Sequence, residues 1–322
     1  MKWTRVLVAA TAVAALPAIA SAQNWRGWNI HVEDYPNTVA VDQFVAEVNE
    51  ATDLNLEAFH GGVLGSQPDA IEQVRNGALD FGNFNMGPMG PIIPTTNVLS
   101  LPFVFSSVDH MHKAMDGEVG EIFAAAMEVE GLVPLAWYDS GSRSFYNSKR
   151  PITEPADVEG LKLRVMNNDL FVDMVAQLGG NATPMAFGEV YQSLKTGVID
   201  GAENNYPSYE STGHFEVAGF YSITDHLIIP ECLCVSTAAW TALDDATKEA
   251  VRTAARNSAV TQRELWAERE LASRAKVEAA GSEVNEVVNK TAFQEKMAPV
   301  YESFLASNPD LASVIDAIKA SE

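Results

Sequence analysis

GLKLRVMNNDLFVDMVAQLGGNATPMAFGEVYQSLKTGVIDGAENNYPSY (Gly160–Tyr209) alternates short apolar runs with helical ones and punctuates them with glycine, the pattern of an α/β protein. Leu161–Val165 reads as a strand: Leu161, Leu163 and Val165 fall on one face, so Lys162 and Arg164 fall on the other. A charge so near the middle of a sheet is costly unless something pairs with it. For Arg164 that partner is either a structural carboxylate or a ligand anion, and a guanidinium fork fits a carboxylate better than an ammonium does. Asn167–Asp169 then open a helix whose first amides add positive field. Phe187, after Thr183-Pro184-Met185-Ala186, reads as core or as a ligand platform. Asn204 and Asn205 offer donors and acceptors suited to hydroxyls or a carboxylate, and equally to helix caps and turns.

The same layout occurs earlier. AIEQVRNGALDFGNFN (Ala70–Asn85) and EVYQSLKTGVIDGAENN (Glu189–Asn205) both run helix, glycine, short strand, polar residues, with Gly77 matching Gly197 and Asp80 matching Asp200 at an offset of 120. A helix–glycine–strand turn is common, so the echo is either chance or two similar lobes facing a shared cleft. In the second case Asn85 and Asn204 would stand at strand carboxyl ends, where open α/β sheets bind ligands. Further strands are expected at Leu54–Phe59, Leu79–Phe84, Leu132–Tyr138 and Val198–Glu203, and further helices at Val39–Asn49, Pro68–Arg75, Gly120–Glu130, Leu170–Leu178 and Gly188–Lys195. Asp245–Ala280 lacks proline and glycine, is rich in Ala, Glu and Arg, and stops at Gly281. It predicts one helix some 54 Å long at about 1.5 Å per residue, enough to brace two lobes.

The N-terminus carries Lys2 and Arg5, an apolar run Val6–Ala20, and Ala20-Ser21-Ala22, which predicts a cleavable secretory leader over residues 1–22 and a periplasmic mature chain. Nothing later is apolar enough for a membrane span, so no direct membrane insertion is expected. The net charge of −22 makes nucleic acid and anionic membrane surfaces poor partners, and means that any anion site needs a dedicated local cation. Arg143, in DSGSRSFYNS, is either a second such cation or an exposed loop charge. Cys232 and Cys234 lie two apart in IIPECLCVS, too cramped on a regular strand for an ordinary disulfide, so buried thiols are expected. G-x-S-x-G, G-x-x-x-x-G-K-[ST], G-x-G-x-x-G and H-E-x-x-H do not occur. His110 and His112 would diverge by about 200° on a helix, poor geometry for sharing a metal. No cofactor and no metal is expected, and no enzyme. His31, in NIHVEDYP, sits after the first strand as a cleft ligand or a buried structural residue.

With these residues in place, the chain resembles the substrate-binding proteins of TRAP (tripartite ATP-independent periplasmic) transporters, DctP type. The resemblance covers essentially the whole chain beyond the leader, through GGVLGSQ, LPFVF (Leu101–Phe105), PADVEGLKLRV (Pro155–Val165), TPMAFGEVYQSLKTGVIDGAENN (Thr183–Asn205) and TDHLIIPE (Thr224–Glu231). Met166 stands where the family usually has proline. The resemblance implies a two-lobed α/β periplasmic binding protein with mixed sheets, a hinge, and a long helix running across both lobes. It implies lobe one over 23–145 with a return segment near 232–250, lobe two over 146–231, the helix over 245–280, and a segment 281–322 packing on the lobes. It further implies that Arg164 pairs with a ligand carboxylate, joined by Arg143, Asn204 and Phe187, with Asn85, His31 and Glu72 contributed by lobe one. TRAP membrane permease subunits are the implied partners. GAENNYPSYESTGHFEVAGFYSITDHLIIPE, HVEDYP and GSRSFYNSKRP resemble the hexuronate-binding branch, so the expected ligand is a small organic acid such as D-glucuronate or D-galacturonate. A C4-dicarboxylate, another sugar acid, a sugar-acid enzyme and a sensor are the other readings.

Overall fold

The computed structural model describes residues 23–322, and the expected leader lies outside them. In chain order the strands are β1 (Asn24–Asn29), β2 (Asn55–Phe59), β3 (Phe81–Asn85), β4 (Leu132–Tyr138), β5 (Ser142–Asn147), β6 (Lys162–Val165), β7 (Asn181–Pro184), β8 (Gly201–Asn204), β9 (Phe220–Ile228), β10 (Glu231–Ser236) and β11 (Glu283–Glu286). They form two mixed sheets. One is ordered β2-β1-β3-β10-β4, the other β11-β9-β5-β8-β6-β7. The short strands 1–3 and 6–8 pair in parallel, as βα crossovers require, while the two returning strands β5 and β10 run antiparallel to their neighbours.

The apolar run Leu132–Tyr138 is buried along its whole length because the helix Glu118–Glu128 covers one face and the long helix the other. Pro134 is tolerated there because β4 is an edge strand. The chain passes between the sheets three times, at residues 139–141, at 229–230, and through the long helix that links β10 to β11. The first passage lies a few residues ahead of the boundary expected at 145, since Arg143 and its neighbours pair with β8 and β9.

The internal echo is structural. Gly77 and Gly197 adopt φ of 72° and 73°. In each unit an aspartate exchanges hydrogen bonds with the adjacent strand: Arg26 N donates to Asp80 Oδ2 at 2.7 Å, and Lys162 N donates to Asp200 Oδ2 at 2.9 Å. The same aspartates' amides donate back to Arg26 O and Lys162 O, at 2.9 and 2.7 Å. One βα module therefore builds both strand ends that face the cleft.

The long helix runs Asp245–Ala279, capped at its start by Asp244 accepting from Thr247 N at 2.7 Å and ended by Gly281 at φ 101°. It packs on the helix Pro36–Ala51, on β4 and on the helix Tyr206–Ser211, and so touches the companions of both sheets. Gln262 holds the first passage from both sides, accepting from Asp139 N at 2.8 Å and donating to Asp139 O at 2.9 Å. Gly141 adopts φ 60°, and a Cβ there would meet Trp266 Nε1 at 2.9 Å, so a larger residue would push the helix off the hinge. Arg269 and Lys276 pair with Glu210 on the helix Tyr206–Ser211, and Arg269 also reaches Asp34 at 3.1 Å.

One turn past Trp266, Glu270 is half-buried; burial first, then the Asp139 and Asp225 carboxylates, push its carboxyl from the usual 4.5 to about 7. A native-state acid that holds its proton more tightly than the unfolded chain does costs stability as pH rises through that window. Glu270→Gln is therefore expected to raise the melting temperature at pH 8 by an amount worth about 1–3 kcal/mol, with little difference at pH 4.5. Equal shifts at both pH values, read by calorimetry, would refute this.

Cys232 and Cys234 form a disulfide, correcting the expectation of free thiols. Their Cα atoms stand 5.5 Å apart, closer than alternate residues of a regular strand and within bridging range.

Candidate functional site

A cavity of about 270 Å³ lies between the sheets. Its lobe-one wall comes from the chain after β1, the glycine-rich turn before the helix Gln67–Arg75, and the end of β3. Its other wall comes from β6, the Met185–Gly188 turn and the end of β8. These are strand carboxyl ends and their loops, as an open α/β sheet predicts. Arg164, Arg143, Phe187, Asn204, Asn85 and His31 all line it.

Arg164 projects from β6 opposite Leu163 and Val165, which enter the core. It is 4 % exposed, and its Nε and Nη2 donate to Met185 O at 3.1 and 2.9 Å. Its guanidinium carbon stands 5.9 Å from the Phe187 ring centroid. No carboxylate of the described residues lies within salt-bridge distance of it. Burial lowers its pKa to about 10, so the group is still charged at neutral pH. This is a cation held in place by a carbonyl and an aromatic face, with part of its fork unused.

Arg143 is different. It is 3 % exposed on β5, with Nε 2.6 Å from Glu203 Oε2 and Nη2 2.9 Å from Oε1. Its Nη1 donates to Asn204 Oδ1 at 2.9 Å, which orients that amide at the cavity wall. Burial pulls its pKa down, but Glu203 outweighs that and holds it above its usual range. It is neither an exposed loop charge nor an unneutralised cation.

Asn85 anchors Gly87 N through Oδ1 at 3.0 Å, while Gln67 donates to Asn85 O at 2.8 Å. Of the two adjacent amides, Asn204 lines the cavity and Asn205 caps the helix Tyr206–Ser211, accepting from Ser208 N at 2.8 Å. His31 stacks on Tyr35 with centroids 3.9 Å apart and places Nε2 3.0 Å from Glu231 Oε1. Phe187 begins a short 3₁₀ turn and is incompletely buried, as a ligand-facing ring must be.

Glu72 does not join them. Its carboxylate pairs with Arg75 at 2.6 Å on the outer face of its helix, and only residues at that helix's start, Gln67 and Pro68, reach the cavity. Gln67, Ser140, Met166 and Glu231 also line the cavity, although sequence patterns alone do not assign them to it. Gln67 and Glu231 close the motifs GGVLGSQ and TDHLIIPE, and a lone glutamate beside an apolar run was the available signal for the latter. His110 bonds the Ile318 carbonyl at 2.8 Å and His112 approaches Asp139 at 3.3 Å. Among the described residues no cluster could hold a metal, and no helix is long and apolar enough to cross a membrane.

Solved structures of TRAP periplasmic solute-binding proteins are similar throughout. One from Roseobacter denitrificans, with bound β-D-glucuronate, is 62 % identical and superposes with a TM-score of 0.92 over 93 % of this chain and 100 % of its own. One from Sulfitobacter sp. NAS-14.1, with bound β-D-galacturonate, is 58 % identical with a TM-score of 0.91 over 92 % of this chain and 100 % of its own. A solute-binding protein of Chromohalobacter salexigens is 57 % identical over 307 residues, 95 % of this chain and 91 % of that protein. The profile of bacterial extracellular solute-binding protein family 7, DctP, matches residues 29–308. The chain belongs to the DctP family of TRAP transporter solute-binding proteins, whose work is capture and not catalysis.

Proposed function

We propose that this protein captures a hexuronate, D-glucuronate or D-galacturonate, in the periplasm and delivers it to TRAP membrane permease subunits after export on its N-terminal leader. The observation that carries the reading is Arg164: of the cations lining the cavity, it alone among the described residues lacks a carboxylate partner. A ligand carboxylate completes its fork, Phe187 offers a face to a sugar ring, and the amides of Asn85 and Asn204 with His31 answer ring hydroxyls. The uronates bound by proteins about 60 % identical to this one support the same chemistry here.

The cavity is walled by both sheets, so an open form exposes it and a loaded form closes over it. Ligand drives closure only through its extra affinity for the closed state, worth a few kcal/mol for a decisive shift. A thermal-shift series tests the reading. Glucuronate and galacturonate at a hundredfold excess over their dissociation constants should stabilise the purified protein by about 2.7 kcal/mol, and glucose and galactose should not. Equal shifts from the neutral sugars, or none from either acid with ligand-stripped protein, would defeat it.

A further inference from the structure

Glu231 begins β10, beside Asn85 on one neighbouring strand and Tyr138 on the other, and is 1 % exposed. Its Oε2 accepts from Asn83 Nδ2 at 2.5 Å and Asn37 Nδ2 at 2.8 Å. Its Oε1 lies 3.0 Å from His31 Nε2 and 3.5 Å from Ser140 Oγ. No arginine or lysine of the described residues pairs with it. Burial disfavours its charge, but His31, Asn83 and Asn37 more than offset that and hold its carboxyl below the usual range. The cavity thus carries an unpaired cation from the six-stranded sheet, Arg164, and a carboxylate from the five-stranded sheet, Glu231, whose one ionisable partner among the described residues is the His31 ring, an ion pair only while that ring is protonated. The Arg143–Glu203 pair cancels itself.

We propose that Glu231 makes this cavity a selector for monocarboxylates: it accepts hydroxyl protons from the end of the ligand remote from Arg164 and repels a second carboxylate there. The proposal rests on the uronate reading, because it needs one ligand carboxylate at Arg164. A carboxylate only accepts hydrogen bonds, so a ligand hydroxyl satisfies it, whereas a ligand carboxylate offers it nothing. At an effective dielectric constant of about 20 and a separation of about 6 Å, like charges cost roughly a hundredfold in affinity. Aldarates, which are hexose acids ionised at both ends, and C4-dicarboxylates are therefore the excluded classes.

Titration calorimetry at pH 8 on wild type and Glu231→Gln tests this with three ligand sets: the uronates, the open-chain aldonates, and the open-chain aldarates. Aldonates and aldarates share chain length and differ in the second charge. Wild type should prefer aldonate over aldarate by about a hundredfold, and Glu231→Gln should shrink that ratio at least tenfold. An unchanged ratio in the variant, or wild type taking both equally, overturns the proposal. So does a wild type and a variant that both take the uronate and reject both open-chain acids, since shape then does the excluding. Should Glu231→Gln fail to fold, wild type is compared on an aldarate and its monoamide, where equal binding or equal failure likewise overturns it. Absence of uronate binding by wild type defeats the receptor reading itself and the proposal with it.

Discussion

Replacing Arg164 by methionine is expected to weaken hexuronate binding by about 30-fold to several thousandfold, the roughly 2–5 kcal/mol cost of stranding a desolvated carboxylate. The empty protein should melt at or above the wild-type temperature. Arg164 is buried without a carboxylate partner, so in the absence of ligand its charge is a burden that methionine removes while keeping the apolar stem. Titration calorimetry and a ligand-free melting curve read the two halves separately. An affinity within threefold of wild type would remove Arg164 from the site, and a collapsed ligand-free melting temperature would make it a structural residue.

Arg143 should behave in the opposite way. Glu203→Ala leaves the Arg143 guanidinium buried and unpaired, which costs about 3–5 kcal/mol. That corresponds to a melting temperature roughly 5–8 °C lower for a chain of this size. The double variant Arg143→Met/Glu203→Leu should recover much of the loss, because removing both members of a buried pair spares the desolvation penalty. A single variant melting within about 2 °C of wild type would show that water reaches the pair. Together the two arginines separate binding from folding: equal in burial, opposite in what they are paired with.

That difference was beyond the reach of sequence. Both are arginines on or beside strands, and only the β5–β8 pairing, which brings residues 143 and 203 together, tells them apart. The α/β class, the long helix and the inward position of Arg164 were readable because each rests on local periodicity, as at Leu161–Val165 and Asp245–Ala280. The place of Glu72 is not legible because a helix position without its neighbours does not reveal which face meets the cleft; Arg75, itself bound to Glu130, pairs with it on the outside. The cysteine bridge is not legible in the sequence because alternate residues of a regular strand lie farther apart than the 5.5 Å found between these two Cα atoms. Glu231 was legible only as an oddity, one charge at the edge of an apolar run whose four side-chain partners come from distant segments.

The long helix makes the molecule a lever. Trp266 rests on Gly141 at the passage between the sheets, with 13 residues of helix beyond it and 21 before it. At about 1.5 Å per residue these arms are about 20 and 30 Å long. A rotation of about 10° about that fulcrum would carry the tips through about 3–5 Å, far more than the side-chain movements that close around a single sugar. A membrane partner touching only the helix tips would thus sense, as a displacement, whether the cavity some distance away is empty or full.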